Sequence, residues 1–183
     1  MEYEMKVLNL YFSATGNTEK VAMRISEAAR QLGREVDTFK VTSRDIEIDI
    51  LNYNFVFVGS GVYAQLPGTP LIELFKKLMK KYHKAGEVKP ASPRRLSAYT
   101  VVYCTYGGVH TGINEAIPAV KYMGQLFDHL GYTIMAEWYI VGAYKTERYR
   151  RHSVAGRLGD IRDRPSEADL RDVAARVKGI LQI

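Results

Sequence analysis

A dense run of hydrogen-bond donors lies at residues 13–18, Ser-Ala-Thr-Gly-Asn-Thr, between an apolar segment and a segment with helical periodicity. Four of these six side chains carry a hydroxyl or an amide group, and the start of a helix adds unpaired backbone N–H groups that suit a phosphate. The run contains no lysine and matches neither the Walker pattern nor G-x-G-x-x-G. It therefore predicts a terminal phosphate monoester held by neutral donors. Helix capping alone is the alternative, but so many donors together favour ligand binding.

Two glycine-containing stretches farther along the chain each hold one tyrosine. Gly61-Val62-Tyr63-Ala64 follows one apolar run, and Thr105-Tyr106-Gly107-Gly108 follows the next. Glycine allows the backbone to approach a ligand closely, and an aromatic ring stacks on a planar ligand. If the two preceding runs are neighbouring strands, their tyrosines can sandwich a ring system.

Apolar runs that suit β-strands alternate with segments of helical periodicity. The runs cover residues 6–12, 54–59, 97–104 and 132–141, with a weaker candidate at 34–40. Near-continuous hydrophobicity predicts strands that are covered on both faces, as in a parallel sheet. Helical faces are predicted within 21–32, 71–78, 113–127 and 170–181, with Ser166 as the N-cap of the last helix. Residues 44–52 fit either a strand or a helix.

This alternation predicts a doubly wound α/β sheet. Ligands bind such sheets beyond the carboxyl ends of the strands, so the three stretches above should meet at one edge. At 183 residues, a single domain spanning 1–183 is expected. Residues 84–95 and 145–165 are predicted to be long surface connections. His110 follows the stretch 105–108, where it can meet a substrate or donate a proton, but an exposed loop residue is the simpler interpretation.

Together the three stretches resemble the ligand loops of the flavodoxin family. Residues 11–22, Tyr-Phe-Ser-Ala-Thr-Gly-Asn-Thr-Glu-Lys-Val-Ala, are similar to the family's FMN-phosphate loop. Gly61 to Ala64 and Thr105 to Gly108 are similar to its two flavin loops, which places Tyr63 and Tyr106 at the two flavin faces. The resemblance implies a flavodoxin-like five-stranded parallel sheet of order 2-1-3-4-5, with helices on both faces and FMN as the cofactor.

The resemblance also assigns the cofactor-binding residues and, because the flavin carries the chemistry, implies no catalytic side chain and no metal. The cofactor-binding residues are Ser13, Ala14, Thr15, Gly16, Asn17, Thr18, Gly61, Val62, Tyr63, Ala64, Thr105, Tyr106, Gly107 and Gly108. The chain departs from the family at Ala64, where glycine is common, and in lacking the acidic residues that usually crowd the second flavin loop. Fewer nearby carboxylates predict a less negative second reduction potential than in an acidic homologue.

Three functions are compatible with this fold class. The first is an electron carrier between redox partner proteins. The second is a flavin-dependent oxidoreductase acting on a quinone or another small molecule, such as a protoporphyrinogen dehydrogenase-like enzyme, whose basic segment near the last strand is comparable in character with 145–164. The third is a phosphoacceptor receiver domain, which the sequence argues against because residues 13, 15, 59 and 60 are not acidic.

The net charge of +6 is concentrated in two segments. Residues 76–95 hold eight Lys/Arg and one acid, and residues 145–164 hold seven and three. Solvated helix ends are the simplest explanation; an acidic partner protein or an anionic membrane surface is the more specific one. Nucleic acid is not expected, because no zinc-finger spacing, RNA-binding aromatic signature or basic region with heptads is present.

The single cysteine, Cys104, excludes an internal disulfide and a tetrahedral cysteine metal site, so a reducing cytoplasm is expected. Cys104 ends an apolar run and is predicted to be a small buried residue. Trp138 is predicted to pack on the sheet. The uncharged stretch 50–72 contains amides, glycines and prolines, so we expect no transmembrane helix. Glu2 and Glu4 argue against a signal peptide.

Overall fold

Five parallel strands form one sheet in the computed structural model, which describes residues 5–182. The strands are β1 (Lys6–Phe12), β2 (Glu35–Lys40), β3 (Phe55–Gly61), β4 (Tyr99–Tyr106) and β5 (Thr133–Val141). Their order across the sheet is β2-β1-β3-β4-β5, and each neighbouring pair is parallel. The predicted fold class and strand order are confirmed. Glu2 and Glu4 lie outside the described residues.

Helices cover both faces of this sheet. They are α1 (Asn17–Gln31), α2 (Thr69–Lys84), α3 (Ile117–His129), the single turn α4 (His152–Ala155) and α5 (Glu167–Ile180). Helices α1 and α5 bury residues such as Ile25 and Val173 in one core layer, while α2 and α3 bury residues such as Leu74 and Phe127 in the other. Strand β3 is buried along its whole length, as expected for a central strand covered on both sides.

Several element boundaries differ from the sequence-based expectation. Helix α3 begins at Ile117, because residues Gly112–Glu115 form a 3-10 turn that starts from a left-handed Gly112 (φ +67°); Ile113 is consequently exposed. Strands β3 and β4 each run two residues farther than predicted, pairing Gly61 with Thr105. The ambiguous stretch 44–52 ends in a 3-10 helix at Ile50–Asn52, capped by Asp49.

Two predicted packing residues are buried as expected. Cys104 is fully buried in β4, and burial raises the pKa of its thiol, so the sulfur behaves as a small apolar group. Trp138 packs against Phe57 with ring centroids 5.8 Å apart. None of the helices within residues 5–182 is long and apolar enough to cross a bilayer.

Candidate cofactor site

A cavity of about 560 Å³ opens at the carboxyl edge of the sheet. Its walls come from the segments that follow β1, β3, β4 and β5. Of the predicted cofactor-binding residues, those that line it are Ala14, Thr15, Asn17, Thr18, Gly61, Val62, Tyr63, Ala64, Thr105, Tyr106, Gly107 and Gly108. Ser13 and Gly16 do not line the cavity. The structure thus brings the three predicted loops to one cavity.

The first turn of α1 keeps its backbone donors available next to the loop that follows β1. Ser13 Oγ accepts a hydrogen bond from the Gly16 N–H at 3.1 Å, which closes the loop on itself. Gly16 adopts a left-handed conformation (φ +90°) that favours glycine. The first intrahelical bond of α1 runs from the Lys20 N–H to the Gly16 carbonyl at 3.0 Å. The N–H groups of residues 17–19 therefore have no carbonyl of an earlier helical turn to bond.

Asn17 joins this loop to the segment after β5. Its Nδ2 donates to the Ala143 carbonyl at 2.7 Å, whereas its Oδ1 is buried without a hydrogen-bond partner among the described residues. A Cβ at Gly142 would lie 3.0 Å from Asn17 Nδ2, so glycine permits this contact. A buried acceptor with no donor costs free energy, and a donor from a ligand in the cavity would satisfy it.

The hydroxyls of Thr18 and Thr105 share a hydrogen bond of 2.8 Å. Both residues are buried. This bond links the start of α1 to the end of β4. It therefore fixes the position of the predicted phosphate loop (residues 13–18) relative to the predicted second flavin loop (residues 105–108). The Thr18 hydroxyl is thereby directed at the protein, which leaves the backbone N–H groups as the main donors of the loop.

Tyr63 begins a tight two-residue turn. Its N–H donates to the Leu66 carbonyl at 2.8 Å and its carbonyl accepts from the Leu66 N–H at 3.0 Å. Ala64 (φ 47°) and Gln65 (φ 63°) are both left-handed, which costs a non-glycine residue about 1–2 kcal/mol. The turn projects the Tyr63 ring toward the phosphate loop.

The Tyr63 ring lies across that loop. Its hydroxyl accepts from the Ala14 N–H at 3.3 Å, and its ring meets Phe12 edge-on with centroids 5.7 Å apart. A Cβ at Gly61 would lie 2.8 Å from the hydroxyl oxygen, so a side chain there would displace the Tyr63 ring from this position. Burial raises the pKa of Tyr63 and of Tyr106, and both phenols are therefore neutral at neutral pH.

Sequence reasoning missed the fourth wall of the cavity. Residues 142–146, Tyr149 and His152 line it, although 145–165 was predicted to be a surface connection. Tyr144 covers Gly107 so closely that a Cβ there would lie 2.2 Å from its ring, and Tyr149 stacks on His152 at 5.9 Å. The rule that loops after parallel strands share one edge, applied to β5, would have found this wall.

Two further residues near 105–108 line the cavity: His110, for which the sequence left both a role at the site and a surface role open, and Glu115, which was not predicted. His110 is exposed, as predicted, yet it lines the cavity. Glu115, from the turn before α3, also lines it, so the second flavin loop does have a carboxylate beside it.

The residues present fit FMN. The phosphate loop offers backbone N–H groups and no cation, which suits a single phosphate monoester. The orphaned Asn17 Oδ1 can accept from a hydroxyl or N–H group, and glycines at 61, 107 and 108 let a flat ring approach the backbone. Tyr63 and Tyr106 supply aromatic surface on the same cavity.

Comparisons with known proteins agree with this description. A family model described as a flavodoxin domain matches residues 8–152. Among solved structures, oxidised flavodoxin 2 from Bacillus cereus has a TM-score of 0.66 at 14% identity, covering 97% of this chain and 98% of that chain. Two-electron-reduced flavodoxin from Megasphaera elsdenii has a TM-score of 0.53 at 18% identity, covering 93% and 98%.

The fold also occurs within a longer chain. The rubredoxin oxygen:oxidoreductase of Desulfovibrio gigas matches with a TM-score of 0.60 at 14% identity, covering 97% of this chain but 35% of that one. Comparison with curated protein sequences gives no significant match. At these identities the structural matches show the fold, whereas the family model covers most of the chain. The chain belongs to the flavodoxin family, whose cofactor is FMN.

Proposed function

We propose that this protein is an electron carrier that passes electrons between redox partner proteins through FMN held at residues 13–18, 61–64 and 105–108. Membership of the flavodoxin family supports an FMN-type electron-transfer or flavin oxidoreductase role. The observation that carries the carrier proposal is the cavity at the carboxyl edge, where a cation-free phosphate loop faces two glycine-containing loops with tyrosines. The single buried thiol of Cys104 suits a reducing cytoplasm.

The chain's own residues bind and orient the cofactor. The backbone N–H groups at the start of α1 would hold the phosphate, and the glycines of the second and third loops would allow the ring system to lie against the backbone. When bound, FMN accepts and releases one or two electrons. The protein contributes the polarity and charge around the ring, which adjust the reduction potential.

A basic rim, defined as residues 145–164, surrounds part of the cavity mouth and favours an acidic partner. It holds seven Lys/Arg and three acids, and Lys145 lines the cavity itself. Arg148 and Arg151 are exposed, and neither forms a salt bridge within the part of the chain that the structure describes. Opposite charges on two surfaces raise the association rate and set orientation, so the rim would place an acidic partner beside the flavin.

A flavin oxidoreductase is the second candidate, and one observation favours it. The cavity extends beyond the three flavodoxin loops to Tyr144, Tyr149 and His152, which form a linked aromatic group. Such a wall suits a quinone or another planar molecule beside the flavin, as in a protoporphyrinogen dehydrogenase-like enzyme.

Turnover separates the two candidates. The FMN-loaded protein is mixed with NAD(P)H and a soluble quinone, and separately with a ferredoxin and its reductase, and flavin absorbance is followed. A carrier equilibrates with the protein partners and shows no sustained oxidation of NAD(P)H. Many turnovers per second with the small molecules would contradict the carrier proposal and support the enzyme.

A further inference from the structure

Glu115 brings a carboxylate to the second flavin loop from a position beyond it in the chain. Its Oε1 accepts the N–H of His110 at 2.6 Å and the N–H of Thr111 at 2.7 Å. Within the described residues, Glu115 is the one acidic residue that lines the cavity, and Lys145 is the one lysine or arginine there. The local charge of the cavity therefore differs from the strongly basic character of the chain.

The loop that Glu115 contacts needs support. Gly108 (φ +54°) and Gly112 (φ +67°) are both left-handed, and the loop closes through the Gly112 N–H to the Gly108 carbonyl at 3.0 Å. His110 and Thr111, between them, have exposed side chains that contribute little packing. Charge-assisted hydrogen bonds to one carboxylate are stronger than neutral ones, so Glu115 holds the middle of the loop.

We propose that Glu115 is a positioning residue with two effects: it fixes loop 107–112 for the flavin, and it places a negative charge that lowers the flavin's reduction potential. The proposal rests on the FMN function proposed above. Reduction adds electrons to the flavin, and a nearby carboxylate opposes added negative charge. The basic composition alone predicts a less negative potential, and Glu115 counteracts part of that effect.

Two substitutions at this position separate the effects. Glu115→Gln keeps a carbonyl oxygen that can accept both N–H groups but removes the charge. Glu115→Ala removes the acceptor and the charge together. Glu47→Gln is the matched control, because this residue lies outside the cavity lining and the basic rim, has a side chain that is 88% exposed, and contacts Lys77 of α2.

The readouts are the midpoint potential, the Kd for FMN and the hydrogen-exchange rates of the His110 and Thr111 amides in the FMN-free protein. We expect Glu115→Gln to make the potential more positive and to change the Kd by less than about threefold. Glu115→Ala should weaken FMN binding by about tenfold or more, because two charge-assisted bonds are lost, and should speed exchange of both amides. Glu47→Gln should change none of the three.

An unchanged potential in Glu115→Gln, or an equal shift in Glu47→Gln, would overturn the electrostatic role. Unchanged amide exchange in Glu115→Ala would overturn the positioning role. If the wild-type protein itself fails to saturate with FMN, the proposed function fails, whereas the amide-exchange comparison still tests the contact between Glu115 and the loop.

Discussion

The Tyr63 side chain connects two of the loops that the sequence identifies as ligand-binding. Its hydroxyl accepts a hydrogen bond from the Ala14 N–H. Without the Tyr63 hydroxyl, this N–H would be free to donate to a phosphate. The Tyr63 ring is positioned by the strained turn at Ala64 and Gln65. The hydroxyl and the ring of this residue therefore have different expected effects on cofactor binding.

Tyr63→Phe should leave FMN affinity unchanged or raise it by up to about threefold, because the Ala14 N–H is released while the ring remains. Tyr63→Ala should weaken binding by about fivefold, since aromatic stacking contributes on the order of 1 kcal/mol. Flavin fluorescence quenching measures both. Tyr122→Ala on α3 is the matched control, and wild-type affinity in Tyr63→Ala would contradict a stacking role.

At the scale of elements, the carboxylate of Asp169 stabilises the start of α5. Ser166 caps the helix in a reciprocal pair with Asp169, and Arg164 donates two side-chain hydrogen bonds to the same carboxylate. Burial would raise the pKa of Asp169, but the bonds from Arg164 and Ser166 outweigh it and lower the pKa. The Arg164 carbonyl also accepts from the Ala143 N–H at 3.0 Å, so this cap supports the fourth wall of the cavity.

Asp169→Asn should destabilise the protein by about 1–2 kcal/mol at pH 7, because a helix cap and a charged hydrogen bond are weakened. A carboxyl group whose folded-state pKa is lowered stabilises above its unfolded pKa and loses that contribution as the pH falls through the folded pKa. The difference between wild type and variant should therefore shrink between pH 5 and pH 3. Urea unfolding at the two pH values checks this, and a difference independent of pH would contradict it.

Helices whose apolar residues recur with helical spacing on the buried face could be predicted from the sequence. Leu71, Leu74 and Leu78 are all buried on α2, as their spacing predicts. The ends of β3 and β4 could not, because Ser60, Gly61 and Thr105 lack the apolar character of a strand and depend on pairing with a neighbour.

The candidate site, too, could be predicted only in part from the sequence. The local phosphate and flavin loops carry composition signals, and the structure places them on one cavity. Glu115 and His152 carry no such signal, because their approach depends on left-handed turns and on the path of the chain after β5.

At the scale of the whole molecule, the basic segment 76–95 lies apart from the basic rim, in the second half of α2 and the residues that follow it. The basic rim follows β5 at the carboxyl edge, whereas α2 runs back to the amino edge, so residues 84–98 lie away from the cavity. Leu96 is 96% exposed. Arg94 and Arg95 before it are paired with Asp128 and Glu87, whereas Lys80, Lys84 and Lys89 are exposed and form no salt bridge within the described residues. An exposed apolar side chain and unpaired lysines in one segment suit the surface of an anionic membrane.

If the amino edge contacts anionic membranes, vesicles containing phosphatidylglycerol should sediment the protein at low salt and release it at moderate salt, because surface charges are screened. Reversing Lys80, Lys84 and Lys89 to Glu should abolish sedimentation. Reversing Arg148 and Arg151 on the basic rim should leave most of it. An absence of binding at low salt, or loss of binding only in the rim variant, would contradict this assignment.

Titration of the FMN-free protein with FMN and with riboflavin, followed by flavin fluorescence, tests the central claim most directly. The backbone donors of residues 13–18 should make FMN saturate at one equivalent and bind at least about tenfold more tightly than riboflavin, which lacks the phosphate. Equal affinity for both flavins, or no saturation by FMN, would contradict the account.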